Sequence, residues 1–356
     1  MKKNIIFTGG GSGGHLMPAI SLILKLEKIN DFNISYIGGR NGIERKEINK
    51  LGIKYYPVFT GKLRRYLSVE NFIDLFKVFI GLIQSVIILS FYKSKNTLIF
   101  STGGFVSVPV VIAGWIIRKK IFIHEQTSRV GLANKICSRF ATKIFVSFSD
   151  SLQFFPKGKT ILSGNPLREE VYKTSVLKII IDGIVINDIK RPVLFVTGGG
   201  NGALILNELI KRNLMELEKK YFIVHQVGKK FIDEYRLLKS ENYLPVEFVD
   251  QIIDLFKIAE VIISRAGAGT VCELISLRKK SIFVPLKIAQ KNEQYHNAMA
   301  AQKELGSIVL NEDDLLRIDL IGMLDEVKKS NTDSLMKNDV LKASDIIITS
   351  IVQYFS

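Results

Sequence analysis

Asn4-Ile5-Ile6-Phe7-Thr8-Gly9-Gly10-Gly11-Ser12-Gly13-Gly14-His15 lies near the start of a chain of 356 residues. A short run of β-formers meets five glycines within six residues, and apolar residues at helical spacing follow (Leu16, Ile20, Leu22, Ile23, Leu26). That order predicts strand, tight loop, helix. A plain turn needs one or two glycines. Five let the backbone approach an anion, whose charge is stabilised by free N–H groups and by the positive end of the helix dipole, so contact with a phosphate or diphosphate is the better reading.

The same grammar returns in Pro192-Val193-Leu194-Phe195-Val196-Thr197-Gly198-Gly199-Gly200-Asn201-Gly202-Ala203, with Thr197 lying 189 residues after Thr8. Strand-like and helix-like segments alternate around both. In the first half the strands fall at 33–37, 54–58, 98–101, 121–127 and 144–146, with a helix at 42–51. In the second half they fall at 222–227, 246–249, 261–264, 281–285 and 307–310. Alternation of this kind predicts an α/β fold of two Rossmann-like, doubly wound domains facing across a cleft, which suits the length. The boundaries expected are 1–163 for the first domain and 164–340 for the second. A C-terminal segment, 341–356, within a long helix at 333–355, would pack back on the first. Residues 175–190 are rich in Ile and Val and read as an insertion of no assigned element.

Two cysteines, Cys137 and Cys272, lie far apart, which argues against a disulfide framework or a Cys-based metal site. The first apolar run is too short for a signal peptide, so a reducing compartment, the cytoplasm, is expected. Lys plus Arg exceed Asp plus Glu by 50 to 34, a formal +16 that favours an anionic partner or reflects a general lysine bias. Between Asn71 and Tyr92 only Asp74 and Lys77 are charged, and the uncharged part, 78–92, is 15 residues, short of the roughly 20 that span a bilayer. Two readings stand: a buried helix of the first domain, or a helix resting its outer face on a membrane. In the second, Lys62, Arg64, Arg65, Lys93 and Lys95 would meet anionic head groups. Trp115-Ile116-Ile117-Arg118-Lys119-Lys120 repeats the apolar-then-basic pattern.

Arg265-Ala266-Gly267-Ala268-Gly269-Thr270-Val271-Cys272-Glu273 again joins strand to helix through small residues, which suits a diphosphate at a helix N-terminus. Glu273 either accepts hydrogen bonds from the two hydroxyls of a ribose or is a solvated helix carboxylate. Gln290, Asn292, Glu293, Gln294, Tyr295, His296 and Asn297 form a polar cluster able to read sugar hydroxyls. His124-Glu125-Gln126-Thr127 ends a strand at the carboxyl edge, where ligands bind in open α/β sheets; His124 could equally be a satisfied core histidine. No metal-ligand spacing and no Walker Gly-Lys-Ser/Thr occurs, so metal-free chemistry is expected.

Six motifs in order give the chain a resemblance to the MurG family of peptidoglycan glycosyltransferases, two-domain enzymes of the GT-B build. They are 9–15, 102–107 (Thr-Gly-Gly-Phe-Val-Ser), 124–126, 164–168 (Gly-Asn-Pro-Leu-Arg), 198–203 and 265–273. The resemblance implies inverting transfer of N-acetylglucosamine from UDP-N-acetylglucosamine to the C4 hydroxyl of undecaprenyl-diphosphate-linked N-acetylmuramoyl-pentapeptide. No cofactor is implied beyond the sugar nucleotide. Also implied are a peripheral place on the cytoplasmic face of the cell membrane, an anionic membrane surface and cell-wall proteins as partners, and no nucleic acid.

By the same resemblance Glu273 would hold the ribose, the backbone at Val249 the uracil, Ala268, Gly269 and Thr270 the diphosphate, and Gln294 the sugar. Arg168 and Gly200 would complete the pocket, with Ser12, Gly13, Gly14, Thr127 and Arg265 also on the donor. Gly13, Gly14, Gly103 and Gly104 would surround the acceptor's diphosphate. His15 is the base candidate, because histidine's ordinary pKa of about 6.5 suits proton transfer near neutrality. The chain departs from the family at Thr127 (usually Asn), Gly200 (usually Ser) and Asn201 (usually Gln or Leu). A nicotinamide or flavin oxidoreductase fits poorly, since Arg40 stands where an acidic residue should close the second strand. Another enzyme of sugar nucleotides, a glycolipid glycosyltransferase or an epimerase, is the alternative; a nucleic-acid binder rests on charge alone.

Overall fold

Strands whose side chains are apolar on both faces need cover on both sides, and Ile5, Ile6 and Phe7 of β1 (Lys3–Thr8) are all fully buried. The computed structural model describes residues 3–61, 69–289, 292–330 and 342–356. Lys62, Arg64, Arg65, Gln290 and residues 331–341 lie outside that set. The chain divides into two compact units, Met1–Arg168 with Asp339–Ser356, and Glu169–Asn338.

In the first unit β1 is followed by α1 (Gly13–Ile29), β2 (Phe32–Gly39), α2 (Ile43–Lys50), β3 (Lys54–Val58), α3 (Val69–Ser90), β4 (Thr97–Ser101), α4 (Ser107–Ile116), β5 (Lys120–Glu125), α5 (Leu132–Cys137), β6 (Lys143–Val146) and β7 (Thr160–Leu162). The sheet is parallel throughout, in the order β3-β2-β1-β4-β5-β6-β7. Alternate strand residues feed two cores. Ile6, Ile37, Ile99 and Ile121 pack with α3, α4 and α5, whereas Ile5, Phe7, Tyr36 and Phe100 pack with α1 and the C-terminal helix. Strand order reverses between β1 and β4, which places the loops at 9–12 and 102–106 at a topological switch point.

The second unit repeats the scheme. After a small antiparallel hairpin, β8 (Ile180–Ile181) and β9 (Ile184–Val185), come β10 (Val193–Thr197), α6 (Leu204–Lys220), β11 (Phe222–Gln226), α7 (Ile232–Arg236), β12 (Tyr243–Val246), α8 (Ile252–Ile258), β13 (Val261–Ser264), α9 (Ala268–Ser276), β14 (Ser281–Phe283), α10 (Glu293–Leu305), β15 (Ile308–Val309) and α11 (Leu320–Lys329). Its parallel sheet runs β12-β11-β10-β13-β14-β15, and its switch point lies between β10 and β13. The fold class is therefore the expected one: two Rossmann-like units of parallel sheet.

Several elements differ from expectation. Strand β7 extends the first sheet beyond residues 144–146. The hairpin β8–β9 occupies the 175–190 stretch. The strand expected at 246–249 ends at Val246, because the Val249 N–H is captured by the Gln226 side chain (2.9 Å) rather than by a ladder. The last helix, α12 (Ala343–Phe355), is described from Ala343; it packs on α1, with Asp345 paired to Lys25 at 2.8 Å.

Helix α3 has features of both readings of 71–92. Gly81, Ser85 and Leu89 face inward, and a Cβ on Gly81 would stand 2.0 Å from the Phe59 carbonyl, so the helix sits close against the chain after β3. On the opposite face Leu75, Phe79, Ile83 and Ile87 form an exposed stripe, joined by Phe76 and by Phe91, which is 82% exposed. Trp115 and Ile116 at the end of α4 are exposed as well. The helix is core on one face and bare apolar surface on the other. Lys119 departs from the basic cluster expected there: it is buried with its ammonium on the Tyr92 carbonyl, and burial lowers its pKa.

Candidate active site

Each unit carries a glycine-rich loop at its switch point. In the first unit Gly10 donates to the Gly103 carbonyl (3.2 Å) and Thr102 to the Thr8 carbonyl (2.9 Å), knitting the two loops together. Gly104 has φ 82°, and a Cβ there would stand 2.1 Å from the Gly10 carbonyl oxygen, so only glycine fits. Helix α1 begins at Gly13 with no side-chain cap from Ser12, and Gly11 to Gly14 are exposed. First-turn N–H groups have no partner within a helix, so those of Gly13 and Gly14 are available to an anion.

His15 stands on that turn, half-buried, with Nδ1 3.0 Å from the Thr102 carbonyl oxygen. A carbonyl can only accept, so Nδ1 carries the proton. The Gln126 side-chain amide abuts the same nitrogen through its Nε2; with the amide assigned the other way round, its oxygen would share that proton. Nε2 is left as an unprotonated acceptor with no partner among the described residues. His15, Thr102, Gly104 and Gln126 are thus brought together.

His124 is a core histidine, though not the fully satisfied one of the alternative reading, since its buried Nδ1 has no partner among the described residues. It is fully buried, Nε2 lies 3.2 Å from both the Gly164 carbonyl and the Ser147 hydroxyl, and burial lowers its pKa to about 4. Glu125 is structural too. One carboxylate oxygen accepts from the Thr127 N–H (3.1 Å) and hydroxyl (2.7 Å), the other from Gly131 N–H (3.3 Å) and Asn134 Nδ2 (3.1 Å). The Thr127 hydroxyl is consequently engaged within its own loop.

In the second unit a cavity of about 340 Å³ opens between the loop after β10 and the start of α9. Thr197, Gly199, Ser264, Arg265, Thr270 and Gln294 are among its walls. Ala268 and Gly269 form the uncapped first turn of α9, as a diphosphate site requires. Glu273, in the second turn, is 7% exposed, which argues against the solvated-carboxylate reading. Gly200 is exposed beside Phe248, and Val249 is buried. Gln294 Oε1 accepts from the Leu286 N–H at 3.0 Å, which orients the amide. Arg168 closes the first unit. Ser12, Gly13, Gly14 and Thr127 also belong to the first unit, and Gly200, Val249, Arg265, Ala268, Gly269, Thr270, Glu273 and Gln294 to the second.

Two residues escaped the sequence reading. Gln226, at the carboxyl end of β11, donates to the Gly199 carbonyl (2.9 Å) and the Thr197 hydroxyl (3.2 Å) while accepting from Val249, so one amide fixes the glycine loop and the segment after β12. A polar residue ending an apolar strand was its only signal. Glu312 pairs with Arg265 at 2.6 Å, with both side chains under 20% exposed, while the guanidinium also donates to the Val284 carbonyl at 3.0 Å. Nothing in sequence spacing links positions 265 and 312. No group of three or more metal-ligating side chains occurs among the described residues.

Comparison with known proteins agrees with this geometry. Residues 5–146 match the glycosyltransferase family 28 N-terminal domain, and residues 193–349 the glycosyltransferase family 28 C-terminal domain. A Bacillus cereus protein (strain ATCC 10987 / NRS 248) is 41% identical over 92% of either chain; it is a UDP-N-acetylglucosamine–N-acetylmuramyl-(pentapeptide) pyrophosphoryl-undecaprenol N-acetylglucosamine transferase. A Clostridium tetani protein of the same description is 38% identical over 100% of this chain and 99% of its own. Among solved structures, Acinetobacter baumannii MurG superposes with a TM-score of 0.68 at 20% identity, covering 98% of this chain and 99% of its own. A Listeria monocytogenes protein described as a UDP-N-acetylglucosamine 2-epimerase reaches 0.69 at 13% identity, covering 100% and 97%. These two likenesses establish the fold alone.

Proposed function

The chain belongs to glycosyltransferase family 28, among the UDP-N-acetylglucosamine–N-acetylmuramyl-(pentapeptide) pyrophosphoryl-undecaprenol N-acetylglucosamine transferases, and from that premise we propose how its residues divide the reaction. The enzyme transfers N-acetylglucosamine from UDP-N-acetylglucosamine to the C4 hydroxyl of the undecaprenyl-diphosphate-linked N-acetylmuramoyl-pentapeptide, with inversion. The observation that carries the division is the place of His15 on an exposed, uncapped helix start, with Nδ1 against the Thr102 carbonyl and Nε2 without a partner among the described residues. His15 takes the proton of the C4 hydroxyl as that oxygen bonds to the anomeric carbon. The bond from that carbon to the diphosphate oxygen breaks, and its electron pair leaves with UDP. N–H groups at the starts of α9 and α6 stabilise the charge gathering on the diphosphate.

In this reading Gly13, Gly14, Gly103 and Gly104 hold the acceptor's diphosphate. Ala268, Gly269 and Thr270 hold that of the donor, Glu273 the ribose, the backbone at Val249 the uracil and Gln294 the sugar. Arg168, Gly200, Ser12 and Thr127 complete the donor's surroundings. Arg265 acts while paired with Glu312, so backbone dipoles carry more of the stabilisation than the sequence suggests.

No helix of the described residues is long and apolar enough to cross a membrane. The lipid acceptor is reached, in our proposal, by seating the exposed face of α3 with Trp115 and Ile116 on the cytoplasmic leaflet, beside Arg118 and Lys120, which are exposed. The test of function is UDP release measured with the undecaprenyl-linked acceptor, with diacylglycerol and with no acceptor. Release with the first alone is expected. Release with diacylglycerol, or epimerisation of the sugar nucleotide alone, would overturn the assignment.

A further inference from the structure

The loop after β1 is braced by a side chain from another segment. We propose that Glu44 is the positioning residue that sets the 9–15 loop to receive the acceptor's diphosphate, a role that rests on the reading of that loop given above. Glu44 sits in the first turn of α2 and is fully buried, as is Ile48 of the same helix. Oε2 accepts from the Gly11 N–H at 3.3 Å and Oε1 from the Gly39 N–H at 2.9 Å, so one carboxylate ties the loop after β1 to the loop after β2. A Cβ on Gly10 would stand 2.4 Å, and one on Gly42 2.1 Å, from atoms of this carboxylate. These glycines make room for Glu44, not for a ligand. No ion pair to Glu44 occurs among the described residues; backbone N–H groups answer its charge.

Tyr36 and Tyr55, stacked at 5.9 Å, complete the brace by donating to the Gly9 carbonyl (2.9 Å) and the Gly39 carbonyl (2.7 Å). Burial first, and then the Glu44 charge, push both phenols up, so they stay donors. The consequence concerns which N–H groups face outward. Gly11 is turned in toward Glu44, and the N–H groups of Gly13 and Gly14 in the uncapped first turn of α1 remain for a ligand. A carboxylate suits this because it offers two acceptors, whereas an amide would turn a donor toward one of the two N–H groups.

The test uses the full chain with steady-state kinetics on Glu44→Gln and Glu44→Asp. Glu44→Gln should lower kcat/KM for the lipid-linked acceptor tenfold or more by raising its KM, while the Kd for UDP changes less than twofold; Glu44→Asp should recover part of the loss. A merely structural role would reduce the active fraction and leave both KM values unchanged. On the unaltered protein, glycine-selective amide exchange should show Gly11 protected, and Gly13 and Gly14 exchanging fast until an acceptor with a shortened prenyl chain is added. Wild-type acceptor kinetics in Glu44→Gln, or a Gly11 amide as fast as that of Gly13, overturns the proposal, and the exchange result decides even if the variant fails to fold. His15→Ala is assayed in parallel. Full turnover there, with no acceptor protection of Gly13 and Gly14, would instead overturn the reading of the loop itself.

Discussion

The ring Nδ1 of His15 faces the carbonyl oxygen of Thr102 at 3.0 Å, across the switch point between β1 and β4. This bond fixes the tautomer and points the basic nitrogen away from the sheet, and the Gln126 amide abutting the same atom limits rotation of the ring. Gln126→Ala should therefore lower kcat by about threefold to tenfold, within the range that orientation of a general base supplies. Nucleotide affinity should be unchanged. Stopped-flow turnover beside UDP titration checks both, and a variant that weakens UDP binding with normal kcat would place Gln126 on the donor.

Exposed Phe79 and Ile83 define the second prediction. Fully burying each such side chain in lipid is worth about 1.5–3 kcal/mol, so Phe79→Glu with Ile83→Glu should reduce partitioning onto anionic vesicles by well over tenfold. Activity on an acceptor with a shortened, soluble prenyl chain should persist. Flotation measures the first and UDP release the second; undiminished flotation would show that another surface meets the membrane.

Glu312 answers part of the Arg265 charge. Glu312→Gln keeps the size of the side chain and removes its charge, so the field at the cavity becomes more positive. UDP should bind about threefold to tenfold tighter at low salt, with the gain shrinking as salt rises. Calorimetry at two ionic strengths is the check, and weaker binding would mean that holding Arg265 in place outweighs the charge.

His124 titrates at about 4 in the folded chain because it is buried, against about 6.5 when unfolded. Below pH 6.5 the unfolded state binds the extra proton first, so stability falls with pH through that window, by about 3 kcal/mol at pH 4. Denaturant unfolding from pH 7 to pH 4 should show this slope, and His124→Asn should flatten it. His225, lowered to about 3 by burial, adds the same sign of dependence in the second unit.

The alternation of strand and helix and the glycine loops were legible because local chemistry specifies them: apolar runs of strand length, glycine clusters at their ends and amphipathic runs beyond. Strand β7 escaped because three residues, none of them buried, leave no periodicity to read. Cross-element partners escaped for a different reason. Glu44 with Gly11, Gln226 with Val249, and Glu312 with Arg265 are set by tertiary approach between segments 23 to 47 positions apart. Lys119 looked like a surface cation in sequence, yet the turn after α4, with Arg118 at φ 57°, directs it inward.

In the proposed mechanism His15 removes the acceptor's proton while the nucleotide is held elsewhere. Single-turnover transfer by His15→Ala at saturating donor and acceptor tests it most directly. The rate of transfer should fall by about 10² to 10⁴ with the Kd for UDP unchanged. Transfer at the wild-type rate would contradict the account.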